Sequence, residues 1–337
     1  MDNGRSAGRD ATGEDVARIE PPSLAEIHEA AVRSHRVVVR TALVPLHVFG
    51  EPVAIFLKPE IHQAVGSFKI RGIHNAVASL AAADRARGLS TVSAGNTAQA
   101  LAWCARHFGV AARAVMPDTA PASKIDAVRR YGGEPVLVPT AEVFRFLRER
   151  RWTAEPYAFV HPWTNRDVLI GHGTIGLEIA ADLPGVTSVF VPVGGGGLLA
   201  GVGSALRALR PRTRIVAVEP EGCPALHESF RQGRPATVSC RTICDGVAVP
   251  YITEELYPLL RRVVDEVALV PEREVERTIK RLALRDHLVV EGSAALPVAA
   301  ALAEPPERLG CAVCVVTGGS IGTDLLLRIL GDPGLDA

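Results

Sequence analysis

From residue 53 onward, short apolar runs alternate with stretches of helical period. VAIFLK precedes a helical segment from Phe68, STVS precedes one from Asn96, and ARAVMP precedes one that leads into EPVLVP. The second half repeats the alternation with SVFVPV, LLAGVGSALRAL, RIVAVEP and AVCVVTGG. Strands separated by helices pair side by side through crossovers rather than as hairpins. The pattern therefore predicts an α/β fold: two domains with parallel-type twisted sheets flanked by helices. No repeat, low-complexity block or flexible linker interrupts the middle of the chain, so the division between domains is expected to be discontinuous. Upstream, residues 1–20 are rich in Gly, Asp, Arg and Ser without periodicity and end at Pro21 and Pro22, which predicts a loose tail. SLAEIHEAAVRSH then places Leu24, Ile27 and Ala31 on one helical face, behind Ser23 as N-cap with Glu26 three residues on.

Composition narrows the function classes. In 337 residues, 37 Lys and Arg balance 37 Asp and Glu. Without a long run of one sign there is little to attract nucleic acid or anionic lipid. No segment reads as a signal peptide or a spanning helix, and the six cysteines show no disulfide framework, so a cytoplasmic protein is expected. Cys311 and Cys314 stand at a spacing some zinc sites use, and Cys240 and Cys244 lie nearby in spacing. A closed zinc site wants a second pair, however, and CAVCVV reads as a buried strand, so no metal is expected.

Lysine occurs only at 58, 69, 124 and 280. Lys58 ends a strand, and Lys124 and Lys280 lie in helical patterns with Arg and Asp, where a solvated ammonium is the default. Lys69, in GSFKIRG, sits at a helix start behind an apolar run. Burial and a helix N-terminus both favour loss of its proton, as an amine nucleophile requires. On this feature alone a structural lysine fits equally well. Gly194, Gly195, Gly196 and Gly197 follow a strand and open a helix, where backbone amides and the helix dipole can hold an anion. No Lys-Ser/Thr pair follows, which excludes a nucleotide P-loop. The alternative, a tight turn with close packing, is disfavoured because four glycines cost stability without an evident packing gain. SAGNTAQ, Ser93 to Gln99, offers amides and hydroxyls for a carboxylate, or a plain N-cap. VTGGSIG, Val316 to Gly322, places the Thr317 hydroxyl at the end of the last strand, where it would suit a ring nitrogen or cap a glycine turn.

Taken together and in this order, LKPEIHQAVGSFKIRG, SAGNTAQ, PVGGGGLLAG and VTGGSIG resemble the fold-type II pyridoxal 5'-phosphate enzymes, of tryptophan synthase β-like fold. Within them the similarity is to the threonine/serine dehydratase and serine racemase group, from about Thr41 to Leu330. The resemblance implies that Lys69 carries the cofactor as a Schiff base, with Phe68 beside the ring, and acts as the base. It implies that Asn96 bonds the ring hydroxyl, that Gly194 to Gly197 hold the phosphate, and that Gly246 and Glu291 line the cofactor. Thr317 would contact the pyridine nitrogen, and Ser93, Ala94, Gly95, Asn96 and Thr97 would receive the substrate carboxylate. It further implies a larger cofactor domain of residues 21–87 plus 163–337, a smaller domain of 88–162, a small amino-acid substrate and a homodimer.

The expected activity is β-elimination from a β-hydroxy amino acid, giving a 2-oxo acid and ammonia. Ala94 stands where racemases of the group carry a second Ser, which argues for elimination with Lys69 as the only base. Thr97 replaces the usual His, as in the cysteine-synthase branch, and the last motif reads GGSIG rather than GGN. A β-replacement synthase is thus the alternative, ahead of a racemase or a non-catalytic homologue. Glu219 matches the first of two carboxylates that bind a divalent cation in some members, but the second falls at Ala225. The sequence runs only a few residues past Leu330, so no regulatory domain of the feedback-controlled kind is expected.

Overall fold

The computed structural model describes residues 18–47 and 54–335, with the backbone of two short segments nearer the start. Those segments, β1 (Gly8–Arg9) and β2 (Asp15–Val16), pair antiparallel. The rest of the expected loose tail up to residue 17 lies outside the described residues.

The strands that follow are β3 (Val44–Pro45), β4 (Ile55–Pro59), β5 (Leu89–Val92), β6 (Ala112–Pro117), β7 (Glu134–Val138), β8 (Ala158–Phe159), β9 (Ser188–Pro192), β10 (Arg214–Pro220), β11 (Glu266–Val270) and β12 (Ala312–Val316). They form two sheets. One has the order β11-β10-β9-β12-β4-β3 and is parallel except at its β3 edge; the other has the order β7-β6-β5-β8 and is parallel throughout. The apolar runs of β9 and β12 are buried along their whole length, as expected of central parallel strands covered on both faces. The two-sheet α/β expectation agrees with this, whereas β11 was not anticipated.

Helix Arg166–Asp182 was not anticipated either, and it is the hub of the larger unit. It packs against helix Lys69–Ser79 and helix Gly197–Leu209, the two elements that open at the expected site. The approach is close enough that a Cβ on Gly171 would lie 2.4 Å from the Arg71 carbonyl oxygen, and one on Gly201 2.3 Å from that of Leu169. The glycines that weaken the helical signature in sequence are what let these backbones touch. The first helix, Leu24–Ser34, carries the expected capping box of Ser23 and Glu26, with Ile27 and Ala30 fully buried.

Lys58 departs from the sequence expectation. Its side chain is fully buried, and its ammonium lies 2.5 Å from Glu178 Oε2 and from the Thr41 carbonyl oxygen. It belongs to a network of two cations and two anions. Arg71 grips Glu60 through Nε and Nη2 at 2.6 and 2.8 Å, and Glu178 through Nη1 at 2.7 Å. A cation at the end of a central strand must be desolvated, so it is stable only because carboxylates meet it there. The sequence periodicity carried no sign of those partners, because Glu178 lies 120 residues further along the chain. Cys223 and Cys240 are also joined as a disulfide, which the sequence pattern did not reveal, while Cys244 and Cys314 are buried free thiols.

The network yields a test. Arg71→Met leaves Glu60 and Glu178 buried without their main partner and is expected to lower unfolding free energy by roughly 3–5 kcal/mol. Urea denaturation measures this. A loss below about 1 kcal/mol would mean that the network is a solvated, surface-type ion pair.

Candidate active site

The carboxyl ends of β4, β5, β9 and β12 and the loops that leave them surround a cavity of about 290 Å³ between the two sheets. This is where open parallel sheets present ligands, because the helices that follow each strand point their N-termini inward. Among the lining residues are Phe68, Lys69, Ser93 to Thr97, Gly194 to Gly197, Gly246, Glu291 and Thr317. All the sequence-predicted residues therefore meet in one place.

Lys69 is the first residue of helix Lys69–Ser79. Its Nζ makes no hydrogen bond or ion pair among the described residues and lies 4.9 Å from the centre of the Phe68 ring. Burial pulls its pKa down from 10.5 to about 8, against the opposing pull of Glu291. Phe68 is fixed from below by His172, whose ring centre is 4.7 Å away. His172 is fully buried with neither ring nitrogen bonded, so burial, with Lys69 and Arg71 adding, holds it neutral, its pKa well below the usual range. Phe68 N donates to the Thr317 carbonyl oxygen at 2.9 Å, which ties the lysine loop to the end of β12.

The four glycines occupy the turn from β9 into helix Gly197–Leu209, with Gly196 at φ 90° in the left-handed region. The expectation that they have no packing role is overturned. A Cβ on Gly195 would sit 2.3 Å from Trp163 Cδ2, one on Gly197 2.9 Å from Trp163 Cα, and one on Gly196 2.8 Å from Leu260 Cδ1. The loop is thus squeezed against protein on one side while it lines the cavity. The same residues thus pack the turn and open a helix N-terminus onto the cavity.

Asn96 opens the helix that follows β5. Its Nδ2 donates to Glu291 Oε1 at 2.7 Å, and its buried Oδ1 has no partner. Ser93 Oγ accepts from Gly95 N at 3.0 Å, and Ala94 contributes no side-chain polar group. Glu291 precedes helix Gly292–Ala303 with its carboxylate turned away from the helix amides, and burial pushes its pKa up while Lys124 pulls it down. Gly246 faces it: a Cβ there would meet Ser293 Oγ at 2.8 Å and Glu291 Oε1 at 3.4 Å.

Lys124 corrects the sequence expectation. Expected as a solvated surface ammonium, it is buried in the cavity wall, with Nζ 2.6 Å from Asp245 Oδ2 and 3.4 Å from Glu291 Oε2. Desolvation opposes its charge, but the two carboxylates outweigh it and raise its pKa. Lys69 is therefore not the only amine facing the cavity. A signal existed, since Lys124 lies four residues before the buried Val128 and so on the same helical face. Asp245, Ser293, Trp163 and Phe144 also line the cavity and were missed. They come from two helices, a short turn and a loop whose meeting depends on long-range packing. Glu219, by contrast, turns its carboxylate to the amides of Leu226 and His227 at 2.8 and 2.9 Å and caps the next helix.

Comparison with known proteins places this geometry. A family model described as pyridoxal-phosphate dependent enzyme matches residues 36–318. The chain is 40% identical over 303 residues to an L-threonine ammonia-lyase of Geobacter sulfurreducens, covering 88% of this chain and 75% of that protein. It is 35% identical to a catabolic L-threonine dehydratase of Staphylococcus aureus, covering 92% and 91%. Among solved structures, maize serine racemase superposes with a TM-score of 0.82 at 29% identity, covering 92% of this chain and 97% of that one. The threonine deaminase of a T.th. strain gives 0.81 at 35% identity, covering 89% and 99%. The chain belongs to the pyridoxal-phosphate dependent enzymes, with the two-domain α/β architecture of fold type II.

The residues present fit that cofactor. An unpaired amine with a lowered pKa suits its aldehyde, and a helix-opening glycine turn suits its phosphate. The buried Asn96 Oδ1 and Ser293 Oγ, both without partners, suit the polar groups of its ring. One test concerns the amine itself. In cofactor-free protein, the rate at which an acylating reagent labels Lys69 is expected to rise through about pH 8, since the neutral amine is the reactive form. A titration near 10.5, read by peptide mass spectrometry, would contradict the desolvated setting of this lysine.

Proposed function

We propose that the enzyme is a lyase that removes water from a β-hydroxy amino acid, threonine, serine or a hydroxylated relative, and that hydrolysis of the resulting enamine returns a water, so that the net products are a 2-oxo acid and ammonia. The observation that carries this reading is Lys69. It is the one cavity amine, among the described residues, that no carboxylate holds. The names of the relatives at 35–40% identity support it, since they are threonine dehydratases and ammonia-lyases.

Pyridoxal phosphate, when bound, supplies an electron sink that acidifies the Cα–H bond of an amino acid joined to it. Lys69 would hold the cofactor and, when free of it, would accept the Cα proton at Nζ. Its pKa of about 8 suits a group that must both take and release a proton. Phe68, itself braced by His172, flanks the ring. Gly194 to Gly197 bind the phosphate with backbone amides, Asn96 meets the ring hydroxyl, and Gly246 and Glu291 line the ring. Thr317, a neutral hydroxyl, is the partner of the ring nitrogen. Ser93, Ala94, Gly95, Asn96 and Thr97 receive the substrate carboxylate and so fix the direction of the Cα–H bond. We assign residues 88–162 to a smaller domain and 21–87 with 163–337 to a larger one, and propose a homodimer.

Part of the cavity wall is apolar. Val143, Phe144 and Leu147 of helix Thr140–Arg148 line the same cavity as Trp163. A β-substituent facing them gains from burial, so threonine is expected to exceed serine in kcat/KM by roughly tenfold or more. A second reading, racemisation, draws on Lys124 and Asp245, because a second titratable pair faces the cavity. Incubation with a panel of β-hydroxy amino acids, followed by assay of 2-oxo acid and ammonia, tests the proposal. Release of both without an added nucleophile is expected. Turnover only with an added thiol would identify a β-replacement synthase, and inversion of recovered serine without 2-oxo acid would identify a racemase.

A further inference from the structure

Lys124 belongs to helix Ala122–Arg130, which joins β6 to β7 of the four-stranded sheet. Asp245 sits in a short turn and Glu291 at a helix start, both in the unit of the six-stranded sheet. The ammonium therefore bridges the two units along one wall of the cavity. A second bridge, Asn96 to Glu291, runs beside it and shares the same carboxylate. Among the described residues, the charged ones that line the cavity are Lys69, Lys124, Asp245 and Glu291, and both carboxylates meet Lys124 rather than Lys69.

The stem of Lys124 matters as much as its charge. It lies across Gly95: a Cβ built there would be 2.5 Å from Lys124 Cδ, 3.3 Å from Cε and 3.4 Å from Cγ. The φ of Gly95 is −179°, outside the left-handed region, so what a side chain there would meet is the Lys124 stem, which would have to shift to admit it. The buried stem thus forms the back of the loop Ser93 to Thr97.

We propose that Lys124 is a positioning residue for the substrate. Its carbon chain supports the Ser93–Thr97 loop from behind, and its ammonium, clamped by Asp245 and Glu291, holds that loop and Asn96 in register with the lysine-bearing unit. It transfers no proton itself. That the loop receives an amino-acid carboxylate rests on the function proposed above; the support of the loop does not.

The test uses the cofactor-loaded enzyme with Lys124→Met, which keeps most of the stem and removes the charge, and Lys124→Arg, which keeps the charge. In Lys124→Met, hydrogen exchange at the amides of residues 95–99 is expected to quicken by about tenfold or more, since loss of one buried ion-pair partner weakens local closure. The KM for the amino acid is expected to rise at least about tenfold while kcat changes less than about threefold, the mark of lost ground-state positioning. Lys124→Arg should recover part of both. Exchange and KM both at wild-type values would overturn the proposal. So would a kcat that falls about a hundredfold with KM and exchange unchanged, because that would make Lys124 an acid or base. Should Lys124→Met not fold, Asp245→Asn, which removes one clamp at a half-buried position, must show the same two changes in smaller degree, or the proposal fails. If the enzyme proved to have another reaction, the KM comparison would fall with that reading, whereas the exchange comparison would still decide the support of the loop.

Discussion

The architecture depends on one buried electrostatic cluster. Arg71, two residues after Lys69 on the same helix, is locked to Glu60 and Glu178, and Glu178 also holds Lys58 at the end of β4. Glu60 follows directly on β4, and Glu178 lies on the central helix Arg166–Asp182. The cluster thus fixes the start of the lysine helix relative to a strand end and to the helix against which it packs. Such a network contributes less to net stability than to geometry, because desolvation offsets much of the Coulomb attraction. Its consequence is positional: Lys69 faces the cavity with its amine unpaired while two other cations, close in sequence, are fully satisfied.

A second constraint acts across the cavity. Glu291 accepts from Asn96 and lies against Lys124, so one buried carboxylate joins two elements of the four-stranded unit to the six-stranded one. The glycine turn adds a third, pressed against Trp163 on its outer side. Reactive and binding groups on different loops are held to a common geometry by packing and charge behind them, as pre-organised sites require. Val143, Phe144 and Leu147 add an apolar stretch to the same cavity.

Much of this was legible in the chain. Alternating apolar runs marked β4, β5, β6, β7, β9, β10 and β12, and strand-to-helix turns rich in small residues marked the loops that converge on the cavity. Local pattern carried those features because the period of a buried strand and the residues of a tight turn are local properties. What escaped was long-range. Lys58 and Lys124 read as solvated because their carboxylates, Glu178 and Asp245, are 120 and 121 residues away. Helix Arg166–Asp182 was hidden by the glycines that allow its close packing. Trp163 gave no sign that it would underlie the glycine turn. The disulfide between Cys223 and Cys240 likewise depends on a loop path that no spacing rule described.

The central claim, that Lys69 and no other lysine carries the cofactor, can be read directly. The loaded enzyme is reduced with borohydride, digested, and searched by mass spectrometry for a pyridoxyl group on each of the four lysines, 58, 69, 124 and 280. The account predicts the modification on Lys69 alone. A pyridoxyl group on Lys124, the other amine in the cavity, or none on any lysine, would contradict it.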